Sequence, residues 1–310
     1  MLIEFHRKML ADSLRSAAFE TALRQVIKPG ETTVADIGAG TGVLGFIAAR
    51  LGAREVHLIE HGDVIELAAH MADANRIPGL QFWRAHSGDI TDPPQVDVVV
   101  AEILGNLALE ENALETLADA RRFLKPGGTL IPARIEQWLA PVVTDNLWRE
   151  LTSWRDTPLG LDFRAAEAMS FDNVYVRSIG VTDLLTGDSA RRWDALDFSS
   201  ELTGLRRGEA RWAITAPAVI HGLALWWRAE LTPGVWLETS PMTTPTHWEQ
   251  VFAPLQEPIN VQTGDALIAT LESETGGGES GIGLRWVVRQ ERDGQALAMR
   301  QHDIGRGYLG

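Results

Sequence analysis

The chain has 310 residues, a net charge of −14 at pH 7 and no cysteine. This length suggests two domains with an ample core, and the lack of cysteine excludes disulfides and thiolate metal sites. The acidic balance disfavours a nucleic-acid partner, which needs a basic surface, and suits a cationic substrate, although a solvated acidic surface explains it equally well.

Signals for membranes and metals are missing from the sequence. No apolar run reaches the length of a membrane span and no basic segment precedes an apolar leader, so we expect a cytoplasmic protein with no membrane partner. The histidines are scattered and lack H-E-x-x-H spacing, so we expect no metal.

The order of elements predicts an α/β domain followed by an antiparallel one. Residues 1–30 show the apolar spacing of helices. Strands and helices then alternate over 31–139, which predicts a parallel sheet. Short alternating stretches over 140–310 predict a β-barrel or sandwich. Between these patterns, 146–172 has helical character and carries aromatic residues.

A glycine turn follows the first predicted strand. The apolar run Thr33–Ile37 is typical of a buried strand, Gly38, Gly40 and Gly42 follow directly, and a helix is expected from Val43 to Leu51. Glycines at this place let the backbone turn tightly and approach a ligand closely. A structural turn in another kind of α/β protein is the alternative.

Acidic residues near this turn indicate a nucleoside cofactor. Glu60 ends the second predicted strand, about 20 residues past the turn, where a carboxylate can bind ribose hydroxyls. Asp36 can hold a cofactor amine or order the loop, and the Gly88-Asp89 pair can meet an adenine edge. The glycine spacing departs from the dinucleotide pattern G-x-G-x-x-G, so S-adenosylmethionine, which needs no pyrophosphate grip, fits better than NAD.

Two glutamates lie nine residues apart after the next predicted strand, Val96–Ala101. Glu102 is placed at the carboxyl edge of the sheet, and Glu111 approaches it only if the chain folds back, for which Gly105-Asn106 is a plausible bend. Two carboxylates in one pocket repel unless a cation joins them, and a planar guanidinium suits such a pair. A solvated acidic loop is the alternative.

In its motifs, the sequence resembles the protein arginine methyltransferases. Four motifs occur in the family's order and cover nearly the whole chain: His6-x-x-Met9-Leu10-x-Asp12-x-x-Arg15, Glu102-x-x-Gly105-x-x-x-x-x-Glu111, the aromatic stretch His221-Gly222-Leu223-Ala224-Leu225-Trp226-Trp227, which resembles a barrel strand of the family, and Thr246-His247-Trp248. The resemblance implies a Rossmann-like methyltransferase domain, an antiparallel β-barrel and, near 146–172, a helical arm for a head-to-tail homodimer.

The resemblance also implies roles for individual residues. Arg15 would hold the cofactor carboxylate, with His6 nearby, and the glycine turn would line the methionine part. Glu102 and Glu111 would clamp the guanidinium, and His247 would pair with Asp12 and help a proton to leave. Met9 and Trp248 would lie at the substrate pocket.

Two departures from the family pattern leave substrate choice open. The helix with the pattern Tyr-Phe-x-x-Tyr, which covers the cofactor in the family, has no counterpart in the sequence. In the glutamate loop, Asn106 and Ala113 stand where larger residues are common. The degree of methylation therefore cannot be carried over.

The leading hypothesis is methyl transfer from S-adenosylmethionine to a guanidino nitrogen of a protein or peptide arginine. The same transfer to free arginine or another small guanidine is the nearest alternative. A non-catalytic cofactor-binding partner protein, and a methyltransferase acting on oxygen or another nitrogen, are the others.

Overall fold

The computed structural model describes residues 3–110, 112–156, 160–200, 202–275 and 282–307. The helices are α1 (Ile3–Ala11), α2 (Ser13–Val26), α3 (Val43–Arg50), α4 (Val64–Asn75), α5 (Ala113–Ala120), α6 (Asn146–Leu151) and α7 (Arg164–Phe171). The strands are β1 (Thr33–Ile37), β2 (Glu55–Glu60), β3 (Leu80–Arg84), β4 (Val96–Ala101), β5 (Leu124–Ile131), β6 (Arg134–Val142), β7 (Tyr175–Arg177), β8 (Arg191–Asp197), β9 (Leu205–Ala213), β10 (Ala218–Thr232), β11 (Val235–Glu238), β12 (Gln250–Val261), β13 (Ala266–Thr275), β14 (Ile282–Arg292) and β15 (Gln295–Asp303).

The first five strands form a parallel sheet in the order β3-β2-β1-β4-β5. Every residue of β1 is buried, as expected for a central strand covered on both faces. The strand order reverses between β1 and β4, and ligands of such sheets bind in the crevice beyond the carboxyl ends at this point. The glycine turn after β1 and Glu102 after β4 flank that crevice.

Two antiparallel sheets form the second half of the chain. One has the order β7-β12-β10-β6-β8, with β11 paired to β10, and the other has the order β15-β14-β13-β9. The sheets contact each other through β8 with β9 and through β12 with β15 and enclose a common apolar core. The predicted boundary between residues 139 and 140 lies inside β6, whose pairing partners are both barrel strands.

Helices at the start and in the middle of the chain connect these parts. Helix α2 packs against α3 and also against β10 and β11, so it joins the parallel sheet to the barrel. A hydrogen bond of 2.8 Å between Thr232 Oγ1 and Gln25 Oε1 lies on this junction. Helices α6 and α7 form the predicted helical insertion between β6 and β7.

One local feature differs from the pattern in the sequence. Lys125-Pro126-Gly127-Gly128 suggests a turn ahead of a strand, but these residues lie within β5. They form a bulge, because Val96 pairs with Leu124 whereas Val98 already pairs with Thr129.

Two kinds of feature are absent from the described residues. No helix among them is long and apolar enough to cross a membrane. No cluster of histidine and acidic side chains within the same ranges could hold a metal ion.

Candidate active site

The glycine turn adopts a conformation that only glycine accepts easily. Gly38, Gly40 and Gly42 have φ angles of 70°, 53° and 84°. A Cβ on Gly38 would lie 2.7 Å from Ile103 Cγ2, and one on Gly40 would lie 3.0 Å from the His6 ring. The turn therefore packs directly against the residue after Glu102 and against the first helix.

Glu60 fastens the turn to the end of β2. Its Oε2 accepts a hydrogen bond of 3.1 Å from the Gly40 N–H, and its Oε1 accepts one of 2.7 Å from the Gly62 N–H. His61 Nδ1 also lies 3.2 Å from Oε1, so Oε2 is the oxygen with more capacity to accept a further hydrogen bond. Ribose binding by Glu60 stays a prediction.

Asp36 is a fully buried carboxyl beneath the turn. Its Oδ2 accepts a hydrogen bond of 2.8 Å from the Gly45 N–H at the start of α3. Burial raises the pKa of Asp36 to about 7, against the effects of this hydrogen bond and of the nearby Arg15 guanidinium. An added cation, such as the amine of a ligand, would favour the ionised form.

This pKa makes the stability of the ligand-free chain depend on pH. The folded-state pKa of about 7 lies above the ordinary value of 3.8, so between these values the fold keeps a proton that the unfolded chain releases. The free energy of unfolding should therefore fall as pH rises, by up to about 1.4 kcal/mol per pH unit from this group. In Asp36→Asn this contribution is missing. The free energy of unfolding of the variant, measured with urea, should therefore rise relative to that of the wild type from about pH 5 to about pH 7.

Asp97→Asn is the matched control for that experiment. The pKa of Asp97 is about 2, so this group stays ionised in both states over the same range and adds no slope. A constant difference between Asp36→Asn and the wild type at all pH values would contradict the assignment.

The Gly88-Asp89 pair lies after β3 in a short 3₁₀ turn. The Gly88 N–H donates to the ring Nδ1 of His86 over 3.1 Å, and the Asp89 side chain is exposed. The Asp89 carboxylate is thus available to a ligand edge, whereas the Gly88 N–H already has a partner. Their contact with adenine stays a prediction.

Asp12 joins the N-terminal helices to the barrel. Its Oδ1 caps α2 by accepting from the Arg15 N–H over 2.9 Å, and its Oδ2 accepts from the backbone N–H of His247 and pairs with His247 Nδ1, both over 2.8 Å. Although burial alone would raise the pKa of Asp12, these hydrogen bonds lower it, so the carboxylate is ionised. Because an ionised carboxylate only accepts hydrogen bonds, His247 Nδ1 donates to it.

The other predicted residues of the N-terminal helices lie around the same crevice. His6 is buried against Gly40, and this burial lowers the pKa of its ring. Met9 is half-buried, and its carbonyl accepts from the Asp12 N–H at the junction of α1 and α2.

Arg15 and Glu102 form a buried ion pair in the crevice. Their side chains are 5% and 4% exposed, and the Arg15 Nε donates to Glu102 Oε2 over 2.7 Å. Arg15 Nη2 contacts the same oxygen. The carboxylate at the end of β4 therefore already binds a guanidinium, in this case one that belongs to the chain itself.

The loop after Glu102 bends back as a tight turn. Gly105 and Ala108 exchange two backbone hydrogen bonds, of 3.3 and 3.0 Å. The Glu110 carboxylate accepts from the Leu107 N–H over 3.0 Å and thus braces the turn from within. Glu111, predicted to be the second half of the clamp, lies outside the described residues.

Two tryptophans hold this turn from the barrel side. Trp227 Nε1 donates to the Gly105 carbonyl over 2.9 Å, and Trp248 Nε1 donates to the Leu104 carbonyl over 2.8 Å. Their rings meet edge to face with centroids 5.0 Å apart, and both side chains are buried. Trp248 therefore supports the glutamate loop directly, whereas a contact with substrate stays a prediction.

Sequence reasoning missed three of these contacts: the Arg15–Glu102 pair, the brace from Glu110 and the indole of Trp227. Only Trp227 gave a signal, as part of the aromatic stretch that resembles a barrel strand of the family.

The comparisons with known proteins agree with this architecture. Residues 20–152 match the family model of ribosomal protein L11 methyltransferase, and residues 136–280 match that of the arginine methyltransferase oligomerization subdomain. Protein arginine N-methyltransferase 6 of Xenopus laevis is 28% identical over 287 residues, covering 86% of this chain and 84% of that protein. Histone-arginine methyltransferase CARMER of Drosophila grimshawi is 29% identical over 275 residues, 84% of this chain. The chain spans about half of CARMER, with 51% covered.

Solved structures show the same fold. The Trypanosoma brucei PRMT1 enzyme–prozyme heterotetrameric complex with AdoHcy matches with a TM-score of 0.86 at 22% identity, covering 97% of this chain and 98% of that one. Arabidopsis thaliana protein arginine methyltransferase 10 matches with a TM-score of 0.81 at 20% identity, covering 98% of both chains. The fold is thus a Rossmann-like methyltransferase domain followed by a β-barrel, as the sequence predicts. The chain is thus similar to protein arginine methyltransferases over most of its length.

Proposed function

We propose that the chain transfers a methyl group from S-adenosylmethionine to a guanidino nitrogen of arginine in a protein or peptide. The observation that carries this proposal is the buried carboxylate of Glu102, which lies at the switch point of the sheet and already binds a guanidinium. The match to the arginine methyltransferase oligomerization subdomain and the names of the relatives support it.

The residues around the glycine turn fit the proposed cofactor. The Nη1 of Arg15 is buried without a hydrogen-bond partner among the described residues, so it can meet a carboxylate. Asp36, buried nearby, can meet an ammonium, and Glu60 can meet ribose hydroxyls. These charges match the amino-acid and nucleoside parts of S-adenosylmethionine.

The chain then has to position and polarise the acceptor. When bound, S-adenosylmethionine supplies a methyl group that its sulfonium has already activated. Holding the acceptor nitrogen in line can supply up to about 7–11 kcal/mol. Glu102, with Glu111 as the sequence predicts, draws the positive charge of the guanidinium towards itself. His247, oriented by Asp12, offers Nε2 to a departing proton.

The test of this proposal offers S-adenosylmethionine with three acceptors in parallel: free arginine, an Arg-Gly-rich peptide and a histone-tail peptide. Mass spectrometry should find a gain of one methyl group on a peptide. Methylation of free arginine alone would move the function to a small-guanidine enzyme. Cofactor binding without transfer to any of them would contradict an arginine methyltransferase.

We further propose that the chain forms a head-to-tail homodimer through its helical insertion. Apolar side chains of this region, such as Trp154 and Leu161, are exposed. An apolar groove of about 430 Å³ lies between α3 and α4, lined by Phe46 and Ile77 among others and flanked by Arg50. An exposed apolar arm and an apolar groove are complementary on two copies of one chain.

Sedimentation tests the dimer. The wild type should sediment as a dimer at micromolar concentration, and Leu161→Asp, which places a charge on the arm, should sediment as a monomer. Met299→Asp is the matched control, because Met299 is similarly exposed, 59% against 63% for Leu161, but lies on β15. A wild type that is monomeric at this concentration would remove the proposal.

A further inference from the structure

The side chain of Arg15 lies between the two halves of the proposed site. Two of its nitrogens, Nε and Nη2, contact the same oxygen of Glu102. Its guanidinium carbon lies 5.8 Å from the centre of the Phe19 ring, so α2 itself supplies an apolar support. The charge of Arg15 also acts on Asp36 and on His6, which places the guanidinium in the pocket that would bind the cofactor.

The third nitrogen of this guanidinium is Nη1. Arg15 Nη1 is buried and finds no hydrogen-bond partner among the residues that the structure describes. Leaving a buried charged donor unpaired is costly, so it normally faces a ligand or water. Since Nε and Nη2 already contact Glu102, a ligand carboxylate could bind Nη1 without displacing the ion pair.

The same pair places Arg15 in competition with an acceptor. In the ligand-free chain the charge of Glu102 is largely matched by Arg15, and Oε2 is occupied. Among the described residues, its other oxygen, Oε1, accepts only a long hydrogen bond of 3.3 Å from the Leu104 N–H. A second guanidinium at Oε1 would meet a carboxylate whose charge Arg15 already neutralises. It would also lie near the positive charge of Arg15, which is costly in a buried site.

A carboxylate on Nη1 changes this balance. It neutralises the positive charge of Arg15, so the negative charge of Glu102 acts on the acceptor again. We propose that Arg15 couples the two subsites: the carboxylate of a bound nucleoside cofactor engages its guanidinium and thereby raises the affinity of Glu102 for the guanidinium of the acceptor. This inference rests on the proposed function. By linkage, the acceptor strengthens cofactor binding by the same factor.

Calorimetry on the full chain tests the coupling without turnover. An Arg-Gly-rich peptide, blocked at both ends so that it carries no carboxylate of its own, is titrated into protein saturated with S-adenosylhomocysteine. A second titration uses protein saturated with 5′-methylthioadenosine, which keeps the nucleoside and the thioether but lacks the amino-acid part. The peptide should bind at least about tenfold more tightly beside S-adenosylhomocysteine.

5′-Methylthioadenosine lacks the ammonium as well as the carboxylate, so the ratio of the two peptide affinities does not by itself identify Arg15 as the cause. Arg15→Met tests whether Arg15 is responsible. The ratio should fall to within about twofold of one in Arg15→Met. It should persist in Arg24→Met, which removes an exposed arginine from the same helix. Circular dichroism and nucleoside binding check that both variants are folded.

The outcomes separate the two proposals. Equal peptide affinities beside both nucleosides, or an unchanged ratio in Arg15→Met, would overturn the coupling while the methyltransferase function stands. Nucleoside binding without any peptide binding would count against both the acceptor class and the coupling.

Discussion

Glu102→Gln is expected to lower kcat/KM for methyl transfer at least about 100-fold, a loss of about 2.7 kcal/mol of transition-state stabilisation. The amide keeps the shape of the side chain but cannot draw positive charge from the acceptor as its nitrogen begins to attack. It also leaves the buried guanidinium of Arg15 without a counter-ion. The affinity for S-adenosylmethionine should therefore change together with turnover. Calorimetry measures the affinity, and initial rates measure the turnover.

The same experiment on the two adjacent glutamates separates a catalytic role from a structural one. Glu111→Gln should also lose at least about 100-fold in turnover, with cofactor affinity little changed. Glu110→Gln should stay within about threefold of the wild type, because an amide oxygen can still accept from the Leu107 N–H. Turnover of Glu111→Gln near that of the wild type would contradict the clamp.

Trp227→Phe is expected to lower kcat about tenfold while cofactor affinity stays close to that of the wild type. The change keeps an aromatic ring in the core but removes the N–H that binds the Gly105 carbonyl. A hydrogen bond lost at a buried carbonyl costs on the order of 1–3 kcal/mol, and here it frees the turn that follows Glu102. Positioning lost in this way lowers the rate more than ground-state binding.

Trp286→Phe is the matched control. Trp286 is buried as completely as Trp227, and its Nε1 donates to the backbone carbonyl of Pro254 over 2.9 Å, away from the glutamate loop. The two variants should lose similar stability, measured by urea unfolding, but only Trp227→Phe should lose turnover. Equal rates in both would show that the indole of Trp227 only fills the core.

The backbone framework could be predicted because local patterns determine it. The bounds of β1 and β4 follow from continuous apolar runs, which only a strand covered on both faces accommodates. Glycine marks the turn after β1, where positive φ angles are needed. Lys125-Pro126-Gly127-Gly128, expected as a turn ahead of a strand, lies inside β5 as a bulge whose residues have no pairing partner in β4.

The side-chain contacts of the site could not be predicted in the same way. Arg15 and Glu102 are 87 residues apart in the chain, and Asp12 and His247 are 235 apart, so no spacing rule brings them together. The pairing of Asp12 with His247 was expected only from the resemblance to the family. Contacts through backbone carbonyls, such as those of the two indoles, leave no trace in a residue pattern.

The central claim is that the acceptor atom is a guanidino nitrogen. The most direct measurement is tandem mass spectrometry of an Arg-Gly-rich peptide after incubation with the wild-type chain and S-adenosylmethionine, with Glu102→Gln beside it. The added methyl group should be located on the side chain of arginine and be nearly absent with the variant. A methyl group on any other atom of the peptide, or equal transfer by Glu102→Gln, would contradict the claim.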